Sequence, residues 1–384
     1  MALEGFSRIL IAADVKPQVA LKLPHIVWSR DDIPKYLSDP NRLGEVLRGY
    51  VAWEEQHPEI KLPHNPDMEL RKEQARYERQ GTKTGKYFFS GFDTLTRDLD
   101  DEFRVYGAKS GKIKYSINYK TDSAGRRTTG FENTPAAKRN IIFLGCSFTF
   151  GEGVPDASTF PAVVGRSLKD SRIYNLGVPG SSPSYRLMAL KKNKKLLEGI
   201  DPTLPTYIII TFIDDHMRRV FGTSLQLHNV KTHYEDAPDF YIGNHKLLMH
   251  PDFYQRHKAL RVLNKIYSLS GFSQLTRIEF PLIRKDQFEL VARIVSEMKN
   301  EIATVLPQTR EIYLAAFPGQ NYYIKRMRPH LGKAGVKTLD YSGINFLKLL
   351  GRHFHLDHDG HPSAKTYDLY GFLLSADLKK DLGL

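Results

Sequence analysis

A serine, a carboxylate and a histidine occur along this chain in the order used by α/β-type serine hydrolases. Ser147 follows a short apolar run, residues 141–144, and a glycine, so that it lies directly after one buried strand. Ligands bind beyond the carboxyl ends of the parallel strands in α/β sheets, and such a serine lies there. Asp359 and His361 come far downstream. The pattern predicts acyl transfer through an acyl-serine.

Each of these residues has a defined role in acyl transfer. The hydroxyl of Ser147 needs a base, and His361 is predicted to take its proton and return it to the leaving alcohol. Asp359 is predicted to accept from the other imidazole nitrogen and fix the tautomer, with Asp357 as the alternative acid. Cys146 is the alternative nucleophile, although a single cysteine beside a strand end is more often a small buried residue.

Three segments resemble, in order, the motif blocks of the SGNH/GDSL hydrolase family. The first segment has Cys146 where the family's name-giving motif has an aspartate. The resemblance implies the SGNH hydrolase fold, and it implies that Ser147 is the nucleophile and that Gly177 offers its backbone N–H to the oxyanion. It covers about residues 112–380, and its blocks are Gly-Cys-Ser-Phe at 145–148, Asn-Leu-Gly-Val-Pro-Gly at 175–180 and Asp-Gly-His-Pro at 359–362.

The block that follows the central strand departs from the family pattern. The family usually has Gly-x-Asn-Asp there, and its asparagine donates to the oxyanion, whereas Asp214 stands at that position in this chain. An ionised carboxylate cannot donate a hydrogen bond. The predicted oxyanion hole therefore consists of the backbone N–H groups of Ser147 and Gly177, together with Asp214 if that residue is held protonated.

Residues close to Asp214 offer an alternative to a protonated carboxyl group. Asp214 can instead orient another donor, such as His216 or Arg218. Two adjacent carboxylates cannot both serve an oxyanion, so one of Asp214 and Asp215 is expected to turn toward the site and the other away from it. The carboxylate that turns away is expected to pair with a base such as Arg218 or Arg219.

From residue 139 onward, strand and helix patterns alternate, which predicts a three-layer, flavodoxin-like α/β fold with a parallel sheet. The predicted domains are a partly helical accessory region at 1–111 and a hydrolase-like domain at 112–384. An insertion at about 217–283 interrupts the alternation and is predicted to form a cap. The predicted strands are 141–144, 172–175, 207–212, 311–316 and 336–341, and the predicted helices include 158–170, 183–197, 286–305 and 362–380.

A group of histidines near the third block suggests a rival metal site. Histidines two residues apart on a strand share a face and can chelate a metal ion. The helical spacing of zinc proteases is absent, however, so neither a metal nor another cofactor is expected. The residues in question are His353, His355, Asp357, His358, Asp359 and His361.

Composition limits the classes of partner. The chain has 384 residues and a formal net charge of +13. It lacks zinc-finger, basic-zipper and RNA-recognition signatures, so specific nucleic-acid binding is not expected, and a basic surface that attracts anionic substrates fits the charge better. No apolar run reaches the length of a membrane span and no secretory signal is visible, so a cytoplasmic location is the default expectation.

The sequence thus predicts a serine-dependent hydrolase that cleaves a short-chain, acetyl-like ester in a small molecule or a glycan. One alternative is an O-acetyltransferase that passes the acyl group to a sugar hydroxyl. Another is a catalytically weakened glycan-binding protein of the same fold. Specificity in such folds lies in loops and insertions, where this sequence has no diagnostic motif.

Overall fold

The structure is a computed structural model that describes residues 75–80, 100–107, 113–223, 238–250, 252–258, 283–345, 354–356 and 360–384. Most of the predicted accessory region, with the helical part expected there, lies outside the described residues. So do Asp357 and Asp359, the two candidate acids.

Strands and helices alternate from residue 139, as the sequence predicts. In chain order the strands are β1 (Ala75–Gln80), β2 (Asp100–Gly107), β3 (Ile113–Lys120), β4 (Arg139–Gly145), β5 (Ser171–Gly177), β6 (Thr206–Phe212), β7 (Asp239–Gly243), β8 (Lys246–His250), β9 (Thr309–Ala316) and β10 (Lys337–Asp340). The helices are α1 (Ser147–Phe150), α2 (Phe160–Ser167), α3 (Pro183–Lys192), α4 (Asp214–Phe221), α5 (Phe253–Arg256), α6 (Lys285–Ala303), α7 (Ile324–Lys333) and α8 (Ala364–Asp381).

Five parallel strands form the central sheet of the described residues, in the order β5-β4-β6-β9-β10. Counted along the chain within this sheet the order is 2-1-3-4-5, which is the flavodoxin-like arrangement. The predicted α/β fold with a parallel sheet is confirmed. The strand order reverses at β4, which pairs with β5 on one side and β6 on the other, and ligands bind beyond the carboxyl ends of strands at such a reversal.

Helices cover both faces of this sheet and complete three layers. One face packs against α2 and α8, and there Phe143 of β4 meets Phe160 of α2 edge to face at 5.4 Å between ring centroids. The opposite face packs against α3, α4, α6 and α7. Strand β4 is buried along its whole length, because a parallel strand covered on both faces must be apolar throughout.

Two helices differ from the sequence-based expectation. The predicted helix 183–197 divides into α3 and a 3-10 turn at Lys194–Leu197, because the side chain of Asn193 caps that turn by accepting from the Lys195 N–H at 3.2 Å. Helix α7 was not predicted, and it contains Pro329 in its interior, where proline removes a backbone donor.

The described residues also form two smaller sheets. Strands β1, β2 and β3 form an antiparallel sheet, and the predicted boundary at 111/112 falls between β2 and β3, which pair with each other. Strands β7 and β8 form a hairpin inside the predicted insertion. The helix after this hairpin, α5, packs on α3 through Phe253, Tyr185 and Met188. The function of this insertion as a cap stays a prediction.

Candidate active site

The turn after β4 places Ser147 at the carboxyl edge of the sheet, where the strand order reverses. Ser147 is the first residue of α1, and the carbonyl of Cys146 accepts from the N–H groups of Thr149 and Phe150 at 3.0 and 2.9 Å. Gly145 makes the turn possible: its φ is +156°, and a Cβ there would lie 2.1 Å from Thr149 Oγ1. Ser147 itself is only 5% exposed.

The second block meets the first one directly. Gly177 lies opposite Gly145 in the register of β4 and β5, and a Cβ on Gly177 would lie 2.3 Å from the backbone nitrogen of Phe150. Asn175 of the second block links it to α1, the helix that begins in the first block, because its Nδ2 donates to the carbonyl of Thr149 at 2.9 Å. The Gly177 N–H donates to Asn175 Oδ1 at 3.0 Å, so an oxyanion would have to share that hydrogen.

His361 lies beside the turn that carries Ser147. Its ring is 5.8 Å from the ring of Phe148, centroid to centroid, and its Nε2 is 3.5 Å from Oε2 of Glu152. The backbone holds it there, since the His361 carbonyl accepts from the Leu356 N–H at 2.9 Å. The structure therefore places His361 against the segment that begins with Ser147, although the two residues are far apart in the chain.

Glu152 is a site residue that the sequence reasoning missed. It is 3% exposed and lies in the loop after α1, where its backbone N–H donates to the Ser147 carbonyl at 3.0 Å. Its carboxylate faces the imidazole of His361. The one signal in the sequence is its position within the same glycine-flanked loop as Ser147.

A buried arginine holds the loop that carries Glu152. The side chain of Arg127 is fully buried, and its Nη1 donates to the carbonyls of Phe150 at 2.9 Å and Gly151 at 2.6 Å. Its Nη2 donates to the Val154 carbonyl at 2.7 Å, and its Nε donates to Asp156 at 2.8 Å. These four hydrogen bonds all hold one loop at the edge of the site.

Asp214 acts as an acceptor in this structure. It is the first residue of α4, and its two carboxylate oxygens accept from the backbone N–H groups of Tyr322 and Tyr323, each at 3.2 Å. Its own N–H donates to Gln320 Oε1 at 3.1 Å. Burial raises the pKa of Asp214, and the two N–H donors oppose that rise. Its side chain is therefore engaged with the loop after β9.

Asp215 pairs with the arginine one helical turn later. Its Oδ1 is 2.7 Å from Nη1 of Arg218, and its Oδ2 is 4.0 Å from Nη2 of Arg219. One of the two adjacent carboxylates was expected to pair with an arginine here, and the structure shows that it is Asp215. The carboxylates of Asp214 and Asp215 lie in the first turn of α4, where the helix dipole favours negative charge.

His216 is a core residue. It is 1% exposed, and neither ring nitrogen has a hydrogen-bond partner among the described residues. Its ring lies 5.8 Å from that of Phe212. Burial lowers the pKa of His216 well below its usual value, and the charge of Arg219 lowers it further. The imidazole is therefore neutral.

Arg219 crosses the sheet edge beside the nucleophile turn. Its Nη1 donates to the Ser181 carbonyl at 2.9 Å, in the loop after β5. Burial raises the pKa of the Cys146 thiol, while the charge of Arg219 and hydrogen bonds from Arg219 and Ser147 oppose that rise. Cys146 is completely buried, so this thiol is protonated and shielded from reagents.

The rival metal site is only partly covered by the described residues. Within them, no three His, Cys, Asp or Glu side chains come together as a possible metal site. His353 and His358 lie outside that part of the chain, as do both candidate acids. The expectation of no metal therefore stays a prediction.

Among the helices that the structure describes, none has the length and apolarity needed to cross a bilayer.

No family model and no curated protein matches this chain. Solved structures that are similar to it include a member of the lipolytic protein G-D-S-L family from Veillonella parvula, with 13% identity and a TM-score of 0.33, covering 62% of this chain and 97% of that one. Another is a carbohydrate esterase whose active site displays divergent catalytic and non-catalytic binding functions, with 12% identity and a TM-score of 0.37, covering 80% and 90%. The first of these bears the name of the family that the three sequence blocks resemble.

Proposed function

We propose that this chain is a serine-dependent hydrolase that cleaves a short-chain, acetyl-like ester through an acyl-serine. The observation that carries the proposal is the meeting of the first and last sequence blocks at the carboxyl edge of the sheet. His361 contacts Phe148, the residue next to Ser147, and lies at the strand reversal where α/β sheets bind their ligands.

The chemistry follows from these positions. Ser147 Oγ forms a bond to the carbonyl carbon of the ester while His361 takes the hydroxyl proton, and the carbonyl π electrons move onto oxygen. The oxyanion then collapses, the bond to the alcohol breaks, and His361 returns the proton to the leaving oxygen. Water attacks the acyl-serine by the same route, with His361 as base again. The Ser147 N–H, in the first turn of α1, and the Gly177 N–H are the proposed backbone donors to the oxyanion.

The acid of the proposed triad is Asp359, with Asp357 as the alternative. Glu152 adds a second carboxylate on the Nε2 side of His361. That nitrogen also serves Ser147 when Asp359 binds Nδ1. We propose that Glu152 stabilises the imidazolium that forms when the serine proton is transferred, because an adjacent anion favours the charged ring.

The proposed substrate is an ester-bearing small molecule or glycan with a small acyl group. Ser147 is almost completely buried, which favours a short acyl chain over a long one. Aromatic rings close the site on one side, where Phe148 meets Phe317 edge to face at 5.0 Å. The identity of the alcohol part depends on loops and on the insertion.

Covalent labelling tests the nucleophile. A fluorophosphonate probe is expected to label the wild-type chain on the peptide that contains Ser147, and p-nitrophenyl acetate is expected to be hydrolysed faster than its longer-chain homologues. Ser147→Ala should abolish labelling and turnover, whereas Ser158→Ala should retain both. Label that persists in Ser147→Ala, or that is lost in Cys146→Ala with the fold intact, would show that the serine assignment is wrong.

A second candidate, O-acetyl transfer to a glycan, is favoured by the engagement of Asp214 as an acceptor. Loss of one oxyanion donor typically slows acyl transfer by about 10²–10³-fold for water and sugar acceptors alike, so a sugar hydroxyl that is bound and oriented at the acyl-serine has the advantage of proximity over water. Acetyl exchange onto sugar acceptors, measured against hydrolysis, separates the two activities. Glycan binding without labelling or turnover in the wild-type chain would favour the weakened binding protein.

A further inference from the structure

In the family that the sequence blocks resemble, an asparagine side chain donates a hydrogen bond to the oxyanion, and this chain has no asparagine at the matching position. Asp214 stands at that position, and both of its oxygens accept backbone N–H groups from the loop after β9. The Gly177 N–H already has an internal acceptor in Asn175. A serine hydrolase of this design needs preorganised donors where the oxyanion forms, so another donor is to be sought at this edge.

The guanidinium of Arg219 lies across that edge. Arg219 starts from α4, which follows β6, and its Nη1 reaches the Ser181 carbonyl in the loop after β5 at 2.9 Å. The charge of Arg219 lowers the pKa of the Cys146 thiol, after β4, against the rise that burial causes. The guanidinium thus connects the helix after β6 with the loop after β5, and β4, which carries Ser147 at its carboxyl end, lies between these two strands in the sheet.

Part of this guanidinium has no partner among the residues that the structure describes. Within that part of the chain, the Nε of Arg219 is buried and has no hydrogen-bond acceptor. The carboxylate of Asp215 approaches Nη2 only to 4.0 Å, and its closer partner is Arg218. A buried donor without an acceptor is destabilising, and such a group is expected where a ligand supplies the acceptor.

The neutral side chain of Cys146 does not neutralise the charge of Arg219. Where the family motif has an aspartate, this chain has a buried thiol whose pKa is raised by burial. An aspartate there would pair with the guanidinium and compete with an oxyanion for it. The neutral thiol leaves Arg219 free to meet negative charge that develops on the substrate.

We propose that Arg219 is an oxyanion donor, in the role that the resemblance gives to an asparagine. The inference rests on the proposed function. When Ser147 Oγ bonds to the carbonyl carbon, the carbonyl π electrons move onto oxygen, and the guanidinium N–H donates to that oxygen until the alcohol leaves and the C=O bond is restored. Arg219 donates a hydrogen bond in this step and transfers no proton.

Replacement of Arg219 tests this role. Arg219→Met is expected to lower kcat for p-nitrophenyl acetate by about 10²–10³-fold with little change in KM, because the donor acts in the transition state. The rate of fluorophosphonate labelling should fall in parallel, since that reaction also builds charge on oxygen. Arg219→Lys, which keeps the charge without the planar fork, should lose less. Methylguanidinium should partly restore Arg219→Ala. Arg293→Gln, a surface arginine on α6, is the matched control.

The outcomes separate this inference from the proposed function. Labelling of Ser147 in the wild-type chain, together with full kcat in folded Arg219→Met and Arg219→Lys, would overturn the role of Arg219 alone. A loss that follows Arg218→Gln instead would assign the donor to the neighbouring arginine. A wild-type chain that neither labels nor turns over would overturn the proposed function and this inference together. Thermal unfolding shows which variants fold, and Arg219→Lys decides if Arg219→Met does not.

Discussion

The carboxylate of Asp214 illustrates how one residue can keep its place in a motif and serve a different contact. Its oxygens accept from two consecutive backbone N–H groups, those of Tyr322 and Tyr323. Asp214→Ala should lower the free energy of unfolding by about 1–3 kcal/mol, because both donors are left unsatisfied. Urea unfolding measures this, and Asp215→Ala, at an exposed neighbour, is the control. An unchanged midpoint would mean that the loop after β9 is held by other contacts.

The neutral ring of His216, which has no hydrogen-bond partner among the described residues, predicts an acid-sensitive fold. Burial holds the pKa of His216 well below the usual value of 6.5. At pH values between the two, the unfolded chain binds a proton and the folded chain does not. The stability contribution of the neutral ring is present above pH 6.5 and is lost as the pH falls below it, at up to about 1.4 kcal/mol per pH unit.

His216→Leu removes this term and an unsatisfied polar group together. The variant should equal or exceed the wild type in unfolding free energy at pH 7, and its advantage should grow towards pH 5. Urea unfolding at several pH values measures the difference. Parallel pH curves for the two proteins would contradict the buried neutral state of His216.

The contact between Glu152 and His361 predicts a shift in the pH dependence of activity. Glu152→Gln removes an anion beside the imidazole, so the charged ring becomes less favourable and the pKa of His361 should fall. The acidic limb of kcat/KM should therefore move to lower pH, and kcat should decline because the imidazolium of the transition state loses support. Glu289→Gln, on the surface of α6, should leave the limb in place. An unshifted limb in Glu152→Gln would exclude this electrostatic role.

At the residue scale, the sequence could predict side chains whose types and spacing form a motif. Ser147 and His361 could be predicted because each lies within a recognisable block, and the structure brings Phe148 and His361 of these two blocks into contact. Glu152 and Arg219 were missed as site residues because their significance comes from contacts across space. A glutamate in a loop or an arginine on a helix is usually solvated, and nothing local in the sequence distinguishes these two.

At the scale of elements, the loop after α1 depends on one side chain. Arg127 satisfies three carbonyls and pairs with Asp156, all in one loop. Arg127→Met should lower the free energy of unfolding by about 3–5 kcal/mol, because the carboxylate and the carbonyls lose their buried partner. Arg166→Met, at a more exposed ion pair, is the comparison. Similar unfolding midpoints for the two variants would contradict the role of Arg127.

The strands could be predicted more reliably than the helices, for a physical reason. Parallel strands buried on both faces are continuous apolar runs, and each of the predicted strands of the central sheet exists within a few residues of its expected position. Helix α7 has a proline in its interior and a basic surface, so its pattern does not indicate a helix. Tertiary packing of Ile324, Met327 and Leu331 on the sheet stabilises it instead.

The net charge of the whole chain predicts a salt effect that depends on the substrate. With a formal charge of +13, the protein should attract anionic esters over distances beyond direct contact. The kcat/KM for an anionic ester should fall by about tenfold as salt rises from low to physiological strength, whereas that for a neutral ester of the same acyl group should hardly change. Equal salt dependence for both esters would show that the charge lies away from the site.

Helix α8 closes the face of the sheet on which α2 lies, and its position has a consequence for biosynthesis. Tyr370 packs on Phe160, and Gly371 allows Val163 of α2 to approach so closely that a Cβ would lie 2.6 Å from it. His361 comes immediately before this helix. A nascent polypeptide on the ribosome therefore displays an uncovered apolar face until this segment emerges, and under the proposed mechanism Ser147 lacks its base until the same moment, so that burial of the core and reactivity of the proposed nucleophile begin together.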